Sequence, residues 1–225
     1  MNIHKLRDQY RILVQEFVNQ ARAAGATVHS SEVSVTPIND GTSQVSVAGT
    51  YYLKEWPCNS GSTKQTKKLD ILLKSKEIYE VDSLVLRQSV VQVMYFNSAE
   101  KEANPTLGLH YDYEYGAGQA HPIFHAQFGS TDFTSAELKQ VKFRKAPIQP
   151  WKDMVRVRIP TVHMGFPAAV LSLFADHLPH SSFQCFLKWA NKHVLFSDAK
   201  ARVDCRSAPL SSGDSSMFQA HRMYV

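Results

Sequence analysis

The chain is poor in thiols: of 225 residues only Cys58, Cys185 and Cys205 are cysteine, widely separated and with no CxxC pair. An odd, scattered set supports neither a disulfide framework nor a thiolate zinc site, and a reducing cytosol is the expected compartment. Long apolar runs are also missing, since nothing approaches the ~20 consecutive residues of a membrane span. The first stretch, "MNIHKLRDQYRILVQEFV", is charged and amphipathic and has no apolar h-region, so a soluble, cytoplasmic protein without a membrane partner is expected. There is no P-loop, no dinucleotide-binding glycine pattern and no GxSxG elbow. Those absences count against nucleotide hydrolysis, nicotinamide redox and serine esterase chemistry.

What the chain does have is enough apolar material, 44% of residues, to bury one substantial core. Its formal charge of +5 and pI near 9.0 favour an anionic partner. In residues 3–24, Ile3, Leu6, Tyr10, Leu13, Val14, Phe17 and Ala21 recur at helical spacing, and the helix should end near Gly25. From Thr27 to Ser130 short alternating or β-branched runs are separated by turn-forming segments such as "NDGTS" and "NSAEKEANP", the pattern of an antiparallel meander. Thr134 precedes Glu137 by three residues, a capping box that starts a short helix. "DMVRVRIP" reads as a further strand. "PAAVLSLFADHL" and "SSFQCFLKWANKHVLF" read as two helices, with Pro167 in a first turn and Pro179 between them. His177, His180 and His193 near the helix ends read as capping or surface residues. Phe183, Phe186, Leu187 and Ala190 read as a core stripe, and Cys185 as an inert buried thiol.

The expected fold is therefore α+β: an N-terminal helix, an antiparallel sheet meander and a C-terminal helical pair packed on the sheet, all in one domain over residues 1–196. Residues 197–225, with "APLSSGDSS", read as a polar, irregular tail.

Ionisable groups concentrate in "LGLHYDYEYGAGQAHPIFHAQFGS", residues 107–130. Strand alternation puts His110, Asp112 and Glu114 on one face, with Leu109, Tyr111 and Tyr113 on the other. On the returning strand His121, Ile123, His125 and Gln127 share a face. If facing residues have numbers that sum to 235, His110 lies opposite His125, Asp112 opposite Ile123 and Glu114 opposite His121. Opposed Cβ atoms are about 5 Å apart, so all five ionisable groups would meet on one surface, and a slip of one residue would scatter them.

Such a cluster suits either of two chemistries. One is metal-free acid/base cleavage of RNA or a related phosphodiester, with one histidine as base and another as acid. The other is a divalent metal such as zinc, held by His110, His121, His125 and Asp112 with a position left for water. A plain half-solvated strand gives the same alternation.

Residues 138–160 carry Lys139, Lys142, Arg144, Lys145, Lys152, Arg156 and Arg158 against the single acid Asp153. Arg156 and Arg158 on one strand face could grip neighbouring phosphates, with Lys142 and Arg144 nearby and Phe143 or Trp151 available to stack on a base. A solvated basic strand, or a docking surface for an acidic protein partner, fits the same charge; a homo-oligomer is the other assembly expected.

The combination "VVQVMYF", "LGLHYDYEY", "AHPIFHAQFG" and "VRIPTVHM", over roughly residues 80–180, resembles a family of bacterial proteins of unknown function that share a Tyr-Asp strand, a His-Pro-x-x-His strand and a later Arg-Ile-Pro element. More distantly it is similar to the toxin halves of small bacterial toxin–antitoxin pairs. The resemblance implies a bacterial accessory protein of the toxin–antitoxin or antiviral-defence kind, with Tyr111, Asp112, His121, Pro122, His125 and Arg158 at the matching positions. The expected activity is a nuclease-type reaction on nucleic acid. The alternatives are a non-catalytic interaction subunit and a metal-dependent hydrolase.

Overall fold

The computed structural model describes residues 3–38, 41, 43–58, 67–82, 86–98, 105–114, 124–129, 133–143, 158–160, 165–178, 180–193 and 195. Helix α1 (Ile3–Ala23) forms because Leu6, Tyr10, Leu13, Phe17 and Ala21 fall on one stripe, and all five are buried. It stops where Gly25 takes φ +96°, which lets the Gly25 and Ala26 N–H groups reach back to the Arg22 and Ala21 carbonyls.

Among the described residues eight strands follow: β1 (Thr27–Ser30), β2 (Ser34–Ile38), β3 (Gln44–Cys58), β4 (Lys67–Glu80), β5 (Leu86–Asn97), β6 (Pro105–Glu114), β7 (Phe124–Phe128) and β8 (Arg158–Pro160). They build one antiparallel sheet in which β3 to β8 are neighbours in chain order. The meander expected from the alternating runs is what forms. Strands β1 and β2 share a single edge of β3: β1 pairs with Tyr51–Lys54 and β2 with Gln44–Ala48. Ser31 bridges the gap between them, with its N–H on the Thr50 carbonyl and its hydroxyl accepting from the Thr50 N–H.

Three helices lie beyond the long strands: α2 (Ser135–Gln140), α3 (Phe166–His177) and α4 (His180–Ala190). Helices α1, α3 and α4 cover one sheet face, where Tyr51, Phe166, Phe17, Phe174 and Phe186 pack at ring-centroid distances of 4.4–6.4 Å. The opposite face carries a smaller cluster of Tyr52, Leu72, Met94 and Phe96 under Leu138 and Val141 of the α2 segment. The fold is the α+β arrangement that the sequence predicts. Among the described residues no helix is long and apolar enough to cross a membrane. The expected domain limit and the polar tail, residues 197–225, fall outside the described residues.

Three readings of single residues change, and the first is His193, which is buried against Trp189 at 4.8 Å and accepts from the Leu195 N–H instead of lying at the surface. Cys185 is exposed, because α4 turns Phe186 and Ala190 inward and leaves residue 185 on the outer side. Phe143 is not free to stack on a base. Its ring packs against Tyr52 at 5.1 Å and Phe96 at 5.2 Å, in the α2-side core.

Among the described residues the main core contains one buried acid. Glu77 is 2% exposed and accepts hydrogen bonds from the Tyr10 hydroxyl, from Tyr79 (3.4 Å) and Ser89 (3.3 Å), and from the Phe166 N–H at 3.1 Å. It thus ties α1, two strands and the first turn of α3 together, with the carboxylate facing the positive end of the α3 dipole. Burial, then the Glu77 and Tyr79 oxygens, push the Tyr10 hydroxyl well above its ordinary range, so it stays a donor. On the other face Thr134 and Glu137 cap α2 reciprocally, and Lys74 of β4 reaches Glu137 at 2.9 Å. Burial raises the Glu137 carboxyl, but the Thr134 N–H, the Lys74 ammonium and the Thr134 hydroxyl outweigh it and hold it below its ordinary range.

Glu77→Ala leaves several buried donors unanswered and should lower the unfolding free energy by about 3 kcal/mol or more in urea titrations. Glu137→Ala removes a cap and an ion pair and should cost about 1 kcal/mol near neutral pH. Because the folded carboxyl is depressed, that contribution is present above the ordinary carboxylate range. It should fade as pH falls through the lower folded value, so wild-type and variant melting curves converge in acid.

Candidate functional site

The position of the ionisable cluster follows from which face of β6 the core claims. Tyr113 is 1% exposed in the helix-covered core and Tyr111 packs against it, so His110 and Asp112 are turned to the α2 side of the sheet. Tyr111, one of the residues in the resemblance, therefore lies off the cluster. Burial and then Asp176 raise its hydroxyl, which remains protonated.

The hairpin register differs from the expected one by two residues. His110 faces Gln127, and Asp112 faces His125. The expected register would have set Pro122, which has no N–H to give, opposite Tyr113 within the ladder. The observed one sets Leu109 opposite Phe128 and extends the pairing through the Gly129 N–H to the Gly108 carbonyl. Because the slip is even, it keeps every side chain on its face. His110, Asp112 and His125 stay together on one face, with cross-strand partners other than the expected ones.

Both imidazoles approach the same atom. His110 Nε2 lies 3.1 Å and His125 Nε2 3.5 Å from Asp112 Oδ2, with the rings edge to face at 6.1 Å. One donor atom from each of the three residues fits within a 4.8 Å group. The second carboxylate oxygen, Asp112 Oδ1, is enclosed and accepts no hydrogen bond among the described residues. Exposure is graded: the Asp112 side chain is 25% accessible, His110 13% and His125 1%. Two side chains thus form an open rim around a buried third.

Two other predicted members lie beyond this description. Glu114 belongs to β6, opposite Gln88, but its side chain lies outside the described part, as does all of His121. Of the basic candidates, Arg144, Trp151 and Arg156 lie outside the described residues. Lys142 is exposed just after α2 with φ +57°, and its charge acts on His29 of β1, at the far edge of the sheet from β7. Lys142 is therefore not beside the histidines. The backbone of Arg158 is on β8 directly opposite Gln127, at the edge of the cluster, and its side chain lies outside the described part.

The sequence reading omitted Gln92. It is 7% exposed on β5 and directly faces His110. The available signal was a lone polar residue inside the apolar run "VVQVM". Lys74 and Lys76 of β4 continue the same polar face, opposite Gln92 and Val90. A groove of about 570 Å³ elsewhere, lined by Asp8, Arg11, Ile12, Gln15, Glu16 and Trp189, is on the helix side and away from this cluster.

The arrangement can do two things. Either imidazole can be oriented by Asp112 for proton transfer, or all three side chains can ligate one cation. Donors about 2.0–2.1 Å from a tetrahedral zinc stand roughly 3.3 Å apart, between the two spacings seen here. No family model matches the chain, and no curated protein and no solved structure matches it either.

Because His125 is enclosed and His110 is not, His125→Ala should lower stability by about 2 kcal/mol through the cavity it leaves. His110→Ala should cost less than about 1 kcal/mol, and chemical denaturation of the two variants checks the order.

Proposed function

We propose that His110, Asp112 and His125 form a divalent-metal centre and that the protein is a metal-dependent hydrolase of nucleic-acid phosphodiesters. The observation that carries this reading is the convergence of two imidazole nitrogens on one carboxylate oxygen at ligand-to-ligand spacing. A metal-free, two-histidine mechanism needs a phosphate between its acid and its base. Here the Asp112 carboxylate occupies that gap, and His125 is too enclosed to meet a polymer.

Three protein ligands with an open side match a hydrolytic centre, in which a bound cation activates water near neutral pH. His125 would anchor the cation from within. His110 and Asp112 would hold it at the rim, where substrate arrives.

An anionic substrate is supported by the charge of the chain and by the register. The most basic stretch reaches β8, where Arg158 faces Gln127 and lies in the row of His110. Exposed Lys76 lies on the same face. Phosphate contacts of this kind position a nucleic acid without reading its sequence. The resemblance to bacterial toxin halves is compatible with a nuclease whose action is held in check by a partner.

A second reading rests on the 3.1 Å approach of His110 to Asp112, which is also that of a metal-free dyad with His110 as general base. Metal analysis of the purified protein, beside incubation with labelled RNA and DNA with and without a chelator, separates the readings. We expect stoichiometric metal, cleavage abolished by chelation, and a loss of at least ~10²-fold in Asp112→Asn. Cleavage that survives chelation with no bound metal would select the dyad; neither metal nor cleavage would leave an interaction subunit.

A further inference from the structure

Resting on the metal reading, we infer that Gln92 is the positioning residue that sets the tautomer of His110 and so makes its Nε2 a ligand. Two orphaned groups lead there. His110 Nδ1 is enclosed and has no hydrogen-bond partner among the described residues, and the same is true of Gln92 Oε1. A buried polar atom without a partner costs about 1–3 kcal/mol, so two of them side by side call for an explanation.

They are neighbours by register. Gln92 on β5 is directly opposite His110 on β6, a pair whose Cβ atoms stand about 5 Å apart, within reach of an amide and a ring nitrogen. They are also complementary, because a carbonyl oxygen only accepts and a ring nitrogen can donate. The two groups are not bonded in the structure, and rotation of the amide or of the ring is what would join them.

The chemistry of that bond decides what the other ring nitrogen does. With the proton on Nδ1 and given to Gln92 Oε1, neutral His110 presents a bare lone pair at Nε2, toward Asp112 Oδ2. A bare lone pair held 3.1 Å from that carboxylate oxygen carries a repulsion that the Gln92 bond offsets in the metal-free protein and that a bound cation would remove. Gln92 thereby prepares the cluster for a metal and works against the hydrogen-bonded dyad, in which Nε2 would carry the proton. Metal-bound histidines generally donate their second N–H in this way, and loss of that partner weakens binding by roughly 10–100-fold.

Gln127 supplies the control. It faces His110 from the other side on β7 and is as deeply buried, at 6% against 7% exposure.

The test reads the tautomer directly, from ¹⁵N chemical shifts of the His110 ring in the full chain treated with chelator, and separately the Zn²⁺ affinity by competition with a chromophoric chelator. Wild type should show Nδ1–H. Gln92→Met, of similar volume but without an acceptor, should shift the ring toward Nε2–H and weaken Zn²⁺ binding roughly 10–100-fold. Gln92→Glu, which restores an acceptor, should return the Nδ1–H signature, and Gln127→Met should leave it unchanged.

An Nε2–H ring in wild type, or a Gln92→Met ring that keeps Nδ1–H, would overturn the assignment. If Gln92→Met does not fold, Gln92→Glu with an Nε2–H ring overturns it equally. Wild type that shows Nδ1–H but binds no Zn²⁺ would instead sink the metal reading while leaving the Gln92 pairing intact.

Discussion

One buried carboxylate holds the layers of this protein in register. Glu77 projects from the middle of the sheet into the helix-covered core, where no water can answer its charge, and it is answered by a hydroxyl from α1, another from its own strand, a third from β5 and the first N–H of α3. A charge in that place is tolerable only with such a full set of donors. Apolar packing alone would let the helices slide over the sheet with little penalty. Directional bonds to one point fix where α1 and α3 sit, and with them which face of β6 is claimed by Tyr111 and Tyr113.

The candidate site is what remains on the other face. There the sheet is divided. One end of its β3 to β5 part carries Tyr52, Leu72, Met94 and Phe96 sealed by Leu138 and Val141, whereas the β5 to β7 part, continued by Lys74 and Lys76 of β4, carries Gln92, His110, Asp112, His125 and Gln127. The capping box of α2 and the Lys74–Glu137 pair pin the lid over the apolar part only. The division gives the ionisable groups a low-dielectric wall on one side and an open rim on the other, a setting in which cation binding and proton transfer both gain strength.

Much of this was legible in the residues. The spacing of Leu6, Tyr10, Leu13 and Phe17 announces α1, and Thr134 with Glu137 announces α2. The alternation in "LHYDYEY" assigns His110 and Asp112 to one face whatever the register. The register itself was not legible, because it depends on which cross-strand pairs fit, such as Leu109 with Phe128, and that is a property of two segments together. Gln92 and Glu77 were missed for a related reason: each is a single polar residue in an otherwise ordinary strand, and its meaning comes from what another strand or helix brings to it. Phe143 and Cys185 show the same limit in reverse, since their exposure is set by how α2 and α4 rotate against the sheet.

The meander has a consequence for the order in which these parts come together. Every strand from β3 to β7 pairs with its neighbour along the chain across a short connection, so the entropic cost of closing each hairpin is small and this part of the sheet, with its His and Asp side chains already aligned, can form from local contacts. The bonds to Glu77 span 67 residues to Tyr10 and 89 to Phe166, which makes them late events in the same process. The chemistry of the cluster is thus written locally in the chain, and its rigidity is supplied afterwards, from the two ends.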